Sequence, residues 1–318
     1  MNLMAANQDA EAAVLSDNMA ASTPPMGFKV ISREFARDKL ALGSLILLVV
    51  LLVTIFIWSF IVDQDVVTTV SLWDSYLPPM SFSEDPAFEG TRYILGTDSA
   101  GRDIFGLLLI GARNSLTLGW SVTVVTSIIG IVVGILAAYY AGMVDNVLMR
   151  IIDFIMILPQ LMIIIIFITL VPNYNVFTFA GILILFNWHG QARFIRGRAL
   201  TVGRLDFISA SKTMGTPSII IMLREMMPNI SSLIIVNLTL NFAGSIGLET
   251  GLTYLGFGLP SGTPSLGTLV SYATNPDILE NKAWVWLPAS ALILVLVLCI
   301  NYVGRALQRA ADAKQRLG

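Results

Sequence analysis

The feature that most constrains this chain is a set of long runs without charge. Leu40 to Val62 holds no charged residue and lies between Lys39 and Asp63, and Asn114 to Val144 is equally bare. A helix needs roughly 20 apolar residues to cross the ~30 Å hydrocarbon core of a bilayer. Runs of this length are spans, not the buried helices of a soluble core. The spacing predicts six: Leu40–Val62, Leu116–Tyr140, Ile151–Val171, Val176–Arg193, Pro228–Ile246 and Trp284–Val303. Composition agrees, with 13% charged residues against about 25% in a soluble domain. The expected class is an all-α membrane protein.

Thr250 to Asn275 is uncharged too. Its glycines and prolines, Gly251, Gly256, Gly258, Pro260, Gly262, Pro264 and Gly267, are too many helix breakers for a lipid-facing helix. Irregular backbone survives at membrane depth only under cover of protein or around a water-filled cavity. This stretch reads as an external loop that dips partly into the protein.

Six spans leave both termini on one side, and Lys/Arg placement says which. Lys29, Arg33, Arg37, Lys39, Arg150, Arg193, Arg196, Arg198, Arg204, Lys212, Arg224, Arg305, Arg309, Lys314 and Arg316 fall on one side; the other has Arg92, Arg102, Arg113 and Lys282. The termini are therefore expected in the cytoplasm. The opposite side is acidic between spans one and two, through Asp63, Asp65, Asp74, Glu84, Asp85, Glu89, Asp98 and Asp103. The first forty residues start polar, without a basic start leading directly into a short apolar stretch, and read as a cytosolic tail, not a cleaved signal peptide.

The one cysteine, Cys299, sits in an apolar run, so no internal disulfide or cysteine-based metal site is expected. His189, the one histidine, sits beside Gly190 and reads as an interfacial hydrogen-bonding group. A single His and a single Cys far apart do not assemble a transition-metal site.

Between spans four and five lies the longest cytoplasmic loop, about residues 197–228. It reads as two short helices joined at Gly215, the residue there that turns freely. Ser209, Ala210 and Ser211 would let a partner surface come close, Lys212, Met214 and Thr216 flank the turn, and Pro217 suits the first turn of the second helix. Pro228 marks the expected re-entry into the membrane. Such a loop can slot into a groove on another protein and pass movement to the spans; a plain structured basic loop fits the same residues.

Three stretches together resemble one family, the permeases of binding-protein-dependent ABC importers. The loop resembles their coupling segment, Glu-Ala-Ala, three residues, Gly, then a hydrophobic-x-x-Pro ending. Here Ser209-Ala210-Ser211 stands where Glu-Ala-Ala is usual, Gly215 matches and Pro228 closes the motif. Gly96-Thr97-Asp98, Gly101-Arg102-Asp103 and the following Gly111-Ala112-Arg113-Asn114-Ser115-Leu116 resemble the C-type subunit of the dipeptide/oligopeptide/nickel branch. So do Glu249, Leu252, Leu255-Gly256-Phe257-Gly258, Pro264-Ser265 and Leu266-Gly267, and also Arg150, Asp153 and Pro159. The resemblance covers residues 35 to 305.

It implies the six-helix type I importer permease fold: a cytosolic tail at 1–39, a first span at 40–62, an external segment at 63–110, a core of five spans with the coupling loop at 111–304, and a cytosolic tail at 305–318. It further implies a multi-pass protein of a prokaryotic cell membrane. The implied partners are a homologous second permease, two cytosolic ATP-binding subunits holding ATP and magnesium, and an extracellular or periplasmic peptide-binding protein. Membrane lipid surrounds it and nucleic acid has no part.

Read as residues alone, several positions keep two meanings. Asp98, Arg102 and Asp103 form a local ion-pair cap on the helix entering span two or touch substrate. Arg150 and Asp153, one turn apart, can pair at the mouth of span three, and Pro159 is expected to kink that span. Glu249 is a pathway group by its depth or a cap on the glycine-rich loop. Gly256 and Gly258 belong to that loop.

The chain has no Gly-x-x-x-x-Gly-Lys-Ser/Thr loop for nucleotide phosphates, nor a nucleophile–base pair, so it is not expected to be an enzyme. The function expected is that of a permease subunit for oligopeptides or dipeptides, with nickel or another small solute as the alternative. A secondary transporter would instead show inverted repeats or mid-membrane acidic groups.

Overall fold

The computed structural model describes residues 35–260 and 262–317, without the side chains of 311–317. Most of the expected N-terminal tail, with Lys29 and Arg33, and the side chains of Lys314 and Arg316 lie outside the described residues. In chain order the elements are α1 (Lys39–Ile61), α2 (Gln64–Thr68), a hairpin of β1 (Ser81–Phe82) and β2 (Arg92–Tyr93), then α3 (Ile104–Tyr140), α4 (Gly142–Ile157), α5 (Gln160–Leu170), α6 (Val176–Leu185), α7 (Trp188–Val202) and α8 (Asp206–Thr213). After them come α9 (Ser218–Tyr254), α10 (Leu266–Ser271), α11 (Pro276–Asn281) and α12 (Ala283–Leu317). The hairpin is antiparallel, with Ser81 opposite Tyr93 and Phe82 opposite Arg92.

Among the described residues, four helices are long and apolar enough to cross a membrane: α1, α3, α9 and α12 over Ala283–Ala310. The pair α4–α5 adds a fifth if the two are one span. Asp38 starts α1, its Oδ1 accepting from Leu40 N and Ala41 N at 3.1 Å each. Ala41, Leu48 and Ile55, spaced by seven, and Ser59 bury one seam against α3 and α12, Leu45, Leu51, Leu52 and Phe56 are half-buried beside it, and most of the remaining surface of α1 is exposed and apolar. In lipid that surface needs no further cover.

Helix α3 is the hub, packed on α1, α4, α6, α7 and α9. It approaches α7 so closely that a Cβ on Gly134 would sit 2.7 Å from Ala192 O and one on Gly130 3.0 Å from Ala192 N. Small residues at such seams let helices pack in a medium that supplies no hydrophobic drive between them.

The expected third span is broken, not kinked. Leu158 and Pro159 are extended, and α4 and α5 meet at 84°. Proline lacks the N–H its turn requires and pushes the residue before it out of helical geometry. The expected fourth span breaks as well: α6 ends at Leu185 and α7 starts at Trp188. Gln160 bridges the two breaks, donating from Nε2 to Asn187 Oδ1 at 2.9 Å and to Phe186 O at 3.3 Å.

The second and fifth spans are longer than expected. Helix α3 starts at Ile104, twelve residues ahead of the expected Leu116, because Asp103 caps it by accepting from Phe105 N at 3.1 Å and Gly106 N at 2.9 Å. Helix α9 runs through Pro228 by widening into a π turn at Ile221–Met226. The wide turn makes room for the proline ring, and Asn229 Nδ2 donates to Glu225 O at 2.6 Å. At its other end α9 continues through Thr250 to Tyr254. The glycine-rich stretch then folds down into the protein, where Leu259, Ser265, Leu266 and Leu269 are buried.

Candidate functional site

The helical loop between α7 and α9 is seated by one apolar cluster. Ile208 of α8 packs with Ile135 of α3, Ile195 and Ala199 of α7 and Ile221, Met222 and Met226 of α9. Lys212 Nζ lies 4.6 Å from the centre of the Tyr139 ring, and Tyr139 OH donates to Ser218 Oγ at 3.0 Å. Ser211 is buried and donates to Glu225 Oε1 at 2.8 Å. Ser209, Ala210, Lys212, Thr213 and Met214 stay exposed, Met214 at 76%.

The turn is closed by a pair of backbone bonds of 3.1 Å, Gly215 N to Lys212 O and Thr216 N to Ser211 O, with Gly215 at φ 79°. That is the Schellman pattern, in which the left-handed position favours glycine. Pro217 immediately precedes the first turn of α9.

Two ion pairs tie α4 to α7 near this loop. Arg196 Nε donates to Asp145 Oδ1 at 2.9 Å, and Arg193 pairs with Asp153. Asp153 therefore reaches across to α7 and does not pair with Arg150 on its own helix, because the close α3–α7 seam brings α7 alongside α4.

Ahead of α3, the Gly96–Asp103 stretch is a tight knot. Asp98 is fully buried; its Oδ1 accepts from Ala100 N at 2.9 Å and Arg102 N at 3.0 Å. Its Oδ2 accepts from Arg102 Nε at 2.9 Å and from Tyr272 OH at 2.9 Å. Arg102 Nη2 donates to Tyr272 OH at 2.8 Å, which fastens the knot to the segment after α10. Thr97 Oγ1 accepts from Leu77 N at 2.8 Å. Gly96 and Gly101 take φ of 78° and 72°, and a Cβ on either would collide with a backbone carbonyl.

Beside the knot, Asp74 is fully buried and accepts from Ser83 OH at 2.6 Å, Glu84 N at 2.7 Å and Tyr93 OH at 2.8 Å. Burial opposes its ionisation, but these donors outweigh it and hold the carboxyl below the usual range. Burial, then the Asp74 carboxylate, push the Tyr93 phenol up to about 12.

Glu249 is fully buried on α9. It accepts from Ser115 OH of α3 at 2.9 Å and Thr253 OH at 3.0 Å. Ser115 Oγ in turn accepts from Leu266 N at 3.1 Å, and Asn114 Nδ2 donates to Pro264 O at 2.9 Å. The carboxylate thus joins two spans to the start of α10. Gly258 presses on the Thr253 side chain and gives its carbonyl to Tyr174 OH at 2.7 Å, while Gly256 supplies a turn at φ 87°.

Where the two helix breaks face α9, a cleft of about 380 Å³ opens, lined by Gln160, Asn187, Gln191, Asn241, Ser245 and glycines of α9. Of the residues singled out in the sequence, Pro159 shapes this cleft, while Glu249 and Asp153 lie outside its lining. Gln160, Asn187, Gln191 and Asn241 were not foreseen. Their signal was available, since each is an uncharged amide inside or beside an apolar run.

Long apolar helices, two helix breaks beside a polar cleft and a helical loop docked against them are the anatomy of a membrane transport permease. Residues 130–317 match the model of the binding-protein-dependent transport system inner membrane component, and the chain belongs to that family of inner-membrane proteins. It is 45% identical over 285 residues to the oligopeptide transport system permease protein OppC of Lactococcus lactis subsp. cremoris (strain SK11), covering 90% of this chain and 94% of that relative. The OppC of Lactococcus lactis subsp. lactis (strain IL1403) gives the same identity and coverage, 45% with 90% and 94%. The OppC of Mycobacterium tuberculosis (strain ATCC 25618 / H37Rv) is 32% identical, over 90% of this chain and 94% of its own length.

Proposed function

We propose that this chain is one permease subunit of an ATP-driven peptide importer, oligopeptides being its first substrate class. The observation that carries the proposal is the 45% identity to an oligopeptide transport permease over 90% of this chain. In this reading the chain crosses the membrane six times, with α4–α5 as the third span and α6–α7 as the fourth, and both termini are cytoplasmic. It forms half of the pathway beside a homologous second permease. A binding protein outside delivers peptide. Two cytosolic subunits bind ATP and magnesium and hydrolyse the nucleotide.

The loop from Ser209 to Pro217 docks on those subunits. Its support is geometric: Ser209, Ala210 and Met214 are exposed, while Ile208 and Ser211 anchor the loop to α3, α7 and α9. A push on its tip is delivered to three spans at once. In the same reading the Gly96–Asp103 knot and the Glu249 cluster keep the outer ends of the spans together. Movement then takes the form of helix groups turning as bodies.

The test is purification of the tagged chain from its native membrane in mild detergent, followed by reconstitution. Recovery of a second permease, ATP-hydrolysing subunits and a peptide-binding protein, with ATP-dependent peptide uptake, is the expected result. Recovery of the chain alone, moving solute without ATP, overturns it.

A further inference from the structure

The geometry points to the cleft at the double helix break as a site that grips the main chain of the passing peptide through side-chain amides. This rests on the importer reading above and adds the chemistry by which this chain would hold its substrate.

No ionisable or aromatic residue lines the cleft; amides, hydroxyls, glycines and two leucines do. That lining has no carboxylate or imidazole for a metal ion, and no aromatic face for a sugar ring to stack on. Its donors and acceptors match the N–H and C=O that nearly every residue of a peptide repeats whatever its side chain. The amides are also prepared for a ligand. Gln160 Nε2 is committed to Asn187 Oδ1 and Phe186 O, which orients both side chains. Among the described residues no hydrogen bond engages Gln160 Oε1, Asn187 Nδ2 or Asn241 Oδ1. Those atoms offer two acceptors and one donor.

Other occupants fit less well. Uncharged amides against lipid tails would forfeit hydrogen bonds. A helix of a neighbouring subunit spends its main-chain groups internally and offers none to these amides. An extended peptide offers all of its own. The volume of about 380 Å³ lies within the roughly 300–1,000 Å³ of small-molecule sites, room for a short stretch of chain and no more. On α9, Gly244, Gly247 and Gly251 leave that space open, since a Cβ on any of them would meet nothing within 4 Å.

The experiment uses the whole assembly in proteoliposomes, with its binding protein and ATP, and radiolabelled tetra-alanine as the probe. Wild-type uptake that does not depend on ATP defeats the importer reading itself, whatever the cleft does. Given ATP-driven wild-type uptake, the double variant Gln160→Met, Asn187→Leu is expected to lower the uptake rate about tenfold, as for two lost hydrogen bonds. Cys299 is the one cysteine of this chain, so Cys299→Ala clears its own thiols, and the cross-link is read on this chain alone. There, the thiol introduced by Asn241→Cys should cross-link a tetra-alanine carrying a thiol-reactive group during turnover, and the same change at Ile235, outside the cleft, should not. The cross-link decides the matter if the double variant fails to assemble. Uptake at the wild-type rate in an assembled double variant, or an Asn241→Cys thiol that captures a neighbouring subunit and not the peptide, overturns the proposal.

Discussion

Ser115 on α3 donates its hydroxyl to Glu249 on α9 at 2.9 Å, and both side chains are wholly removed from solvent. The same hydroxyl oxygen accepts from Leu266 N, so one atom joins α3, α9 and α10. Replacing it strands a buried carboxylate oxygen and a backbone N–H together. Ser115→Ala should therefore cost about 1–3 kcal/mol. Thermal unfolding of the solubilised assembly reads this as a lower midpoint; an unchanged midpoint would show that the three elements hold without the hydroxyl.

The region around the β1–β2 hairpin carries a pH dependence of definite sign. The Asp74 carboxyl is held below its ordinary value in the folded chain. A depressed carboxylate contributes stability that is present above about pH 4 and lost as pH falls through the folded value. Tyr93 behaves in the opposite sense: its phenol is raised to about 12, so its share is intact below about pH 10 and lost as pH rises from there to 12. Protease nicking between Ser75 and Tyr93 should be slow on a plateau between those limits and faster at either end. Asp74→Asn should flatten the acid edge and only reduce the alkaline one, because burial is the larger cause of the raised Tyr93 phenol; persistence of the acid edge in that variant would assign it to another group.

Gly215 takes φ 79° in open space, so substitution there strains backbone without creating a clash. Gly215→Val should cost about 1–2 kcal/mol in the turn, enough to shift the loop and cut ATP-driven uptake while membrane insertion persists. Gly215→Asn should keep most of the transport, because asparagine tolerates the left-handed region. Equal uptake by the valine variant and the wild type would remove the loop from the coupling path.

Met214 is 76% exposed at the tip of the loop. Met214→Glu leaves the chain's own packing untouched and sets a charge on the surface offered for docking. Co-purification of the ATP-hydrolysing subunits should fall severalfold, with this chain still paired to its permease partner. Full recovery of those subunits would place the contact elsewhere on the loop.

Much of this architecture was legible in the residues. Uncharged runs marked the long helices, and Gly215 marked the turn. Breakers from Gly251 to Gly267 marked a stretch unfit for a lipid-facing helix. Other features were not legible, because each depends on geometry that the local residue pattern does not contain. Arg150 and Asp153 sit at helix-pairing distance in sequence, but α7 brings Arg193 to Asp153 once α3 and α7 close together. Glu249 has two meanings in sequence because its partner, Ser115, lies 134 positions away. Pro228 reads as a helix start by local rules, and only the widened turn before it lets α9 run through. The cleft amides went unremarked because scattered Asn and Gln in apolar runs gain meaning from convergence, which needs the two breaks to be placed.

The widened turn at Ile221–Met226 also sets a phase. A π turn takes up one more residue than an α turn, and each residue advances an α-helix by 100°. The azimuth of Asn241, Ser245 and Glu249 relative to the loop that carries α8 is thus fixed at that turn, ahead of the residues of α9 that line the cleft. Returning it to ordinary α geometry would swing this whole polar edge toward a different neighbour without altering one lining residue. The α9 wall of the cleft can thus be re-aimed by drift within Ile221–Met226, none of which lines the cleft.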